Sequence, residues 1–291
     1  MKTILKLIAC WAAFAAAFVV LGIVTRALHL QSISLPGNTP FRIQILAQAG
    51  AGALLVLGLY PLARQLAAPW AVRSLAMGDF LFLALGVNGT IEARKFTHFL
   101  DGGIAPAIVS YVILSLLVGT ALGWFFGAPE PPVGLPDRGF IAWSSRGVAA
   151  WLAWPLIYFI FGACIAPIVV PYYNAGIVGL HIPPLSTILE VQLLRSLIFL
   201  AASLPFIALW KGSRRSLWFA LGLTHAVVVG LYGLVGATFL PWVLRIAHGI
   251  EITCDGFAYA GLLVLLFAVP AAATQRAPMG ETTQLKPCPS K

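Results

Sequence analysis

The chain is short of charge. Asp, Glu, Lys and Arg make up 9% of its 291 residues, and only 9 of those residues are acidic. A soluble domain carries about 25% charged residues. So few charged groups cannot cover a water-facing surface, which excludes a soluble enzyme, a DNA-binding domain and a disordered protein together. Cysteine is also scarce. Cys10, Cys164, Cys254 and Cys288 form no C-x-x-C pair, which argues against a metal ribbon or a redox motif. The first three fall in apolar stretches, where a free cysteine acts as a small apolar residue. No repeat of 20–50 residues is visible, and no stretch outside the apolar runs is long enough to form a domain.

What the chain has instead is apolar length. Hydrophobic residues make up 60% of it, and mean hydropathy is +0.94. The runs are continuous rather than alternating, which selects a helical membrane protein. A span needs about 20 apolar residues to cross about 30 Å of hydrocarbon. Eight stretches qualify: 4–25, 43–63, 74–93, 104–127, 149–172, 187–210, 216–238 and 242–272. The third is the weakest, because it carries Asp79, Asn88 and Glu92. Leu7-Ile8-Ala9-Cys10 faintly resembles a lipoprotein cleavage box. The apolar run before Cys10 is too short for one, so the segment reads as an uncleaved first span.

With the N-terminus placed inside, 12 Lys and Arg fall on inner segments and 5 on outer ones, the bias of the positive-inside rule. Lys211, Arg214 and Arg215 are the strongest single cue. The net charge of +9 is then a topology signal, and nucleic acid is excluded as a partner. The expected fold is an all-α polytopic transmembrane bundle of about eight spans with both termini cytoplasmic. One domain covers 1–275, and a polar, disordered tail covers 276–291. A bacterial cytoplasmic membrane is the expected location, with the lipid bilayer as partner. The proline-rich stretch 128–145 reads as an inner loop, and 173–186 as a loop on the outer surface. Gly119, Gly123 and Gly127, and again Gly222, Ala226 and Gly230, make small-residue ridges that let helix backbones approach closely.

Ionisable groups inside spans are costly and are functional candidates by default. On the sixth span, Thr187-x-x-Glu190 fits a capping box. Arg195, two turns deeper, needs a carboxylate or several carbonyl partners. Glu190 lies about 140° round the helix from it, so the partner is expected on another helix: Glu251 first, Glu92 as the alternative, Glu190 a poor third. On the eighth span, Arg245, His248, Glu251, Asp255 and Tyr259 fall within about a third of the circumference and form one polar stripe. Asn88 and Glu92 share the outer end of the third span, and His225 sits near the middle of the seventh. Arg195, His225, His248 and Glu251 come to similar depth, which points to one site.

Glu190-Val191-Gln192-Leu193-Leu194-Arg195, the basic loop 211–215, Leu221-Gly222-Leu223-Thr224-His225 and His248-Gly249-Ile250-Glu251-Ile252 follow in that order. Over roughly 187–255 the chain thereby resembles the CPBP family of intramembrane proteases, which includes the CAAX-processing enzymes. That family carries Glu-Glu-x-x-x-Arg, Phe-x-x-x-His and His-x-x-x-Asn. Val191, Leu221 and Ile252 depart from its pattern. The resemblance implies that Glu190 activates water, His225 assists it and His248 helps hold the oxyanion, with a membrane-associated peptide as substrate. An inactive relative would keep the fold alone.

Other chemistry stays open. A zinc site from His225, His248 and a carboxylate has no H-E-x-x-H spacing behind it, so no metal is assigned and the cofactor is left unknown. Paired haem ligation by His225 and His248 is a further option. A proton-coupled small-solute transporter would use the same acid, His and Arg groups, with helices broken at Pro155, Pro167 and Pro205. The lack of a visible repeat counts against it. A membrane assembly partner, its polar groups cross-linking helices, is the third class.

Overall fold

The computed structural model describes residues 1–30, 39–100, 103–129 and 135–268. The eight expected spans are eight helices, each long and apolar enough to cross a membrane: α1 (Lys2–Ala27), α2 (Phe41–Ala63), α3 (Trp70–Phe96), α4 (Ala105–Phe125), α5 (Phe140–Asn174), α6 (Leu185–Leu209), α7 (Arg214–Gly236) and α8 (Trp242–Phe267). The largest boundary shift is at α5, which already begins at Phe140, so part of the expected 128–145 loop is helical. The tail expected over 276–291 lies outside the described residues.

Helix starts follow from proline. Pro40, Pro69, Pro184 and Pro241 sit in extended backbone immediately before α2, α3, α6 and α8. At that position the missing N–H costs no helical hydrogen bond and the ring fixes the approach of the chain. Ser213 caps α7 by accepting from the Ser216 amide. Pro155, Pro167 and Pro205 do not break their helices as expected; α5 and α6 continue through them. The irregular backbone lies instead in α3 and α7, which widen to π-helix over Leu81–Val87 and Val227–Leu231. Each π segment accommodates an extra residue and so turns everything beyond it. The packing is that of a lipid-solvated bundle. Gln192, Ser196, Ser203, Thr224 and His225 are wholly buried, while Leu116, Ile160 and Leu197 are about half exposed on faces that lipid covers.

The bundle is built from two four-helix halves that repeat each other. In the first, α1 and α3 pack on α4; in the second, α5 and α7 pack on α8. Across the join, α2 packs on α7 as α6 packs on α3. At one constant offset Pro40 falls on Pro184, Gln48 on Gln192 and Pro61 on Pro205. Gly78, Gly86 and Gly89 fall on Gly222, Gly230 and Gly233. The two π segments end on the matched residues Val87 and Leu231. At a slightly shorter offset Trp11 falls on Trp151 and Gly22 on Gly162.

The contacts repeat as well. Trp11 Nε1 donates to the Ala49 carbonyl at 3.0 Å, and Trp151 Nε1 to the matched Leu193 carbonyl at 2.8 Å. Gly86 makes room for Tyr111, and Gly230 for Ile252. Arg73 Nε donates to the Gly123 carbonyl at 3.1 Å and Arg214 Nη2 to the Val264 carbonyl at 3.0 Å, near the C-terminal ends of α4 and α8. A cation there also meets the negative end of the helix dipole. At the join, the Ala67 amide donates to Leu209 O at 2.8 Å and the Lys211 amide to Gln65 O at 3.2 Å. The offset exchanges these two bonds, as a two-fold axis would. Each half has an even number of spans, so both cross in the same sense and the axis runs along the membrane normal. The expectation of no internal repeat is therefore corrected. The unit is four helices long, well beyond 20–50 residues.

The Leu66–Trp210 bridge marks one end of the bundle, called here the bridge face. The opposite end, the cavity face, holds the site. The glycine ridges serve packing within the bundle: Gly119 and Gly123 lie against Gly78 and Ser74 of α3, and Gly222 and Gly230 against Phe257 and Ile252 of α8.

Candidate functional site

A cavity of about 600 Å³ lies in the cavity-face half of the bundle, between the end of α3 and helices α5, α6, α7 and α8. Leu180 and Ile182 from the α5–α6 connection, and Phe239 and Leu240 from the α7–α8 connection, line it at this end. The 173–186 segment, much of it exposed, thus lies on the surface and lines the cavity with its inner side. The His181 amide bonds to Phe96 O at 3.2 Å, and its ring stacks on His98, which ties this segment to the end of α3.

One wall is organised by Arg195 of α6, whose side chain is 4% exposed. Its Nη1 lies 2.7 Å from Glu92 Oε1 and donates to Gln192 Oε1 at 3.2 Å, while its Nε donates to Asn88 Oδ1 at 2.6 Å. The guanidinium also lies over the rings of Trp154 and Phe199, a favourable cation–π setting. Asn88 and Glu92 follow the α3 π segment directly, so that segment sets the direction from which they meet Arg195. The expected partner, Glu251, is corrected to Glu92.

The second wall is α8. His248 Nδ1 bonds to Glu251 Oε2 at 2.7 Å, and its Nε2 meets the Tyr173 hydroxyl at 3.2 Å. With Nδ1 donating to the carboxylate, Nε2 is free to accept from Tyr173. Glu251 Oε1 faces Gly162, where a Cβ would come to 3.3 Å. Asp255, one turn deeper and 2% exposed, has an Oδ1 with no hydrogen-bond partner among the described residues. Tyr259 is fully buried one turn further still, its hydroxyl on Ser196 O at 3.4 Å.

Of the residues expected from sequence, the cavity gathers Glu92, Arg195, His248, Glu251 and Asp255, with Asn88 directly behind Arg195. Three others lie elsewhere. Arg245 donates to the Leu234 and Val235 carbonyls at 2.7 and 3.1 Å, holding the end of α7 beside a smaller pocket. Glu190 is exposed on α6 and does not line the cavity. The capping box drawn from it does not form, because α6 starts after Pro184 and has no side-chain cap. His225 is wholly buried, with Nε2 3.2 Å from Ser203 Oγ and Nδ1 2.9 Å from Leu221 O. The rings of Phe80, Phe199 and Tyr259 surround it, so it shares no metal or haem with His248. Among the described residues no group of three or more His, Cys, Asp or Glu is placed to hold a metal. Tyr158, Tyr173 and Gln192 are the site residues that sequence reasoning missed. The signal for Tyr158 was the repeat, which puts Phe18 at the matched place in α1.

The place that the repeat pairs with the site serves as an internal control. Arg195 falls on Ala51, Asn88 on Tyr232, Glu92 on Gly236 and Trp154 on Phe14. There the Tyr232 ring packs edge-on to Phe14, and Gln48 fills the space that a side chain at Gly236 would need. Along α4, His248, Glu251 and Asp255 fall on Ala107, Ser110 and Leu114, in the register fixed by Tyr111 and Ile252. The same helix packing therefore forms without these charges. Compared with protein-family models, with curated proteins and with solved structures, the chain matches none.

Proposed function

We propose that the protein is a proton-coupled transporter of a small solute, with the cavity as its binding site. The observation that carries this reading is the convergence of Glu92, Arg195, His248, Glu251 and Asp255 on one cavity, in a bundle whose repeat holds uncharged residues at every matched position. Ionisable groups facing a shared intramembrane cavity are how proton relays are built. Parallel repeats about an axis along the membrane normal are one of the two repeat forms of secondary transporters. The α3 and α7 π segments pack on each other where the halves join, and such segments gather at functional sites. The positive-inside count puts the cavity face outside. The protease reading draws less support, since of Glu190, His225 and His248 only His248 lines the cavity.

The test is two-sided access. Ala163 lines the cavity. In a chain with its cysteines replaced by alanine, Ala163→Cys is reacted with a membrane-impermeant maleimide in sealed, oriented vesicles. A transporter gives labelling from the cavity face in one state and from the bridge face in another, with the balance moved by an imposed pH gradient. Labelling from the cavity face alone under every gradient rejects transport and leaves a binding or hydrolytic pocket.

A further inference from the structure

We infer that the solute is an amphiphilic organic cation, an amine or onium group carried on apolar or aromatic bulk, and that Asp255 receives its charge. The inference rests on the reading of the cavity as a solute site. It starts from the walls. Phe96, Phe99, Tyr158, Phe159, Tyr173 and Phe239 line the cavity, and aromatic faces attract cations, more strongly once these are desolvated. The volume of about 600 Å³ lies in the range of sites that enclose a drug-sized molecule.

The charges point the same way. Arg195 is already engaged by Glu92, Asn88 and Gln192. His248 is held on both ring nitrogens, by Glu251 and Tyr173. An anionic solute would meet a guanidinium already paired and two further carboxyl groups, Glu251 and Asp255. A cation meets an acidic floor. Asp255 is decisive, because it lines the cavity and its buried Oδ1 lacks a donor among the described residues. A buried acceptor without a donor is costly. A proton on the carboxyl group removes its charge, and a cationic solute beside it balances that charge, an ammonium adding an N–H donor. The two compete for one carboxylate: when the cation arrives the carboxylic proton leaves to water, and when the proton returns the cation is released. That exchange couples proton entry to solute exit with no further charged residue. The matched Leu114 shows that helix packing at this level does not need a carboxyl group.

The experiment uses two probes of like shape and opposite charge, tetraphenylphosphonium and tetraphenylborate. Binding of each to the purified full chain in detergent is measured by equilibrium dialysis against protein-free micelles. The phosphonium should bind at least about tenfold more tightly than the borate, and Asp255→Asn should weaken it by about tenfold or more. Lowering the pH should weaken phosphonium binding to the wild type severalfold more than to the Asp255→Asn variant, in which Glu92, His248 and Glu251 still titrate. Equal or tighter binding of the borate overturns the inference without any variant, and so does phosphonium binding untouched by Asp255→Asn in a folded protein. Neither measurement needs a membrane. Cation binding with one-sided access would therefore reject transport and keep this assignment, whereas two-sided access with anion preference would do the reverse.

Discussion

Removing Glu92 should harm the protein more than removing Arg195, although the two make one ion pair. The side chains are 36% and 4% exposed, respectively, and 2.7 Å apart. Arg195→Met leaves a carboxylate that water in the cavity can reach, plus Asn88 and Gln192 each short of one donor. Gln192 keeps the Trp154 Nε1 donor; at about 1 kcal/mol for each buried neutral acceptor left short of a donor, the low end for such groups, the expected cost is about 2 kcal/mol. Glu92→Met strands a guanidinium in the bundle, and breaking a buried pair in that sense costs about 3–5 kcal/mol. The double substitution leaves no uncompensated charge, and apolar replacements of buried pairs are often close to neutral. It should therefore be more stable than Glu92→Met alone. At about 2 °C per kcal/mol for a chain of this size, Glu92→Met should lower Tm by about 6–10 °C and Arg195→Met by about 4 °C. Thermal unfolding in detergent, followed by light scattering, gives all four corners of the cycle. Strict additivity, or a larger loss from Arg195→Met, would refute the burial argument.

The repeat makes a paired prediction. Trp11→Phe and Trp151→Phe each delete one Nε1–carbonyl bond, of 3.0 and 2.8 Å, and each should cost about 1 kcal/mol; Tm shifts differing severalfold would break the equivalence of α1 and α5. His225→Phe should lower Tm modestly but leave tetraphenylphosphonium affinity within about twofold, because His225 lies outside the cavity; a larger loss would return it to the site. Deleting Leu83 from the α3 π segment should turn Asn88 and Glu92 by about 100° and abolish the Arg195–Glu92 coupling, so persistence of the double-mutant cycle in that background would show that the segment does not aim them.

Several features of this protein were fixed by sequence alone. Long apolar runs with little charge leave no soluble alternative, because only internally hydrogen-bonded backbone survives in hydrocarbon. The number of spans followed, and each begins within a few residues of its expected place apart from α5. The need of Arg195 for an acid on another helix was also legible, since its depth and the angle to Glu190 depend only on helix geometry. Tertiary structure decided what depends on rotation about each helix axis and on which helices touch. Arg195, His225, His248 and Glu251 were expected at one depth, yet His225 packs beside Gly256 and Tyr259, about two to three turns along α8 from His248, in a ring of aromatics, while the other three face the cavity. Glu92 rather than Glu251 meets Arg195 because α6 packs on α3 and a π segment re-aims the end of that helix. The repeat stayed hidden for a related reason. Apolar residues exchange freely where they face lipid, so the halves keep in common only a scatter of residues, such as the prolines that start or bend helices, Trp11 and Trp151, and the glycines where backbones close on one another.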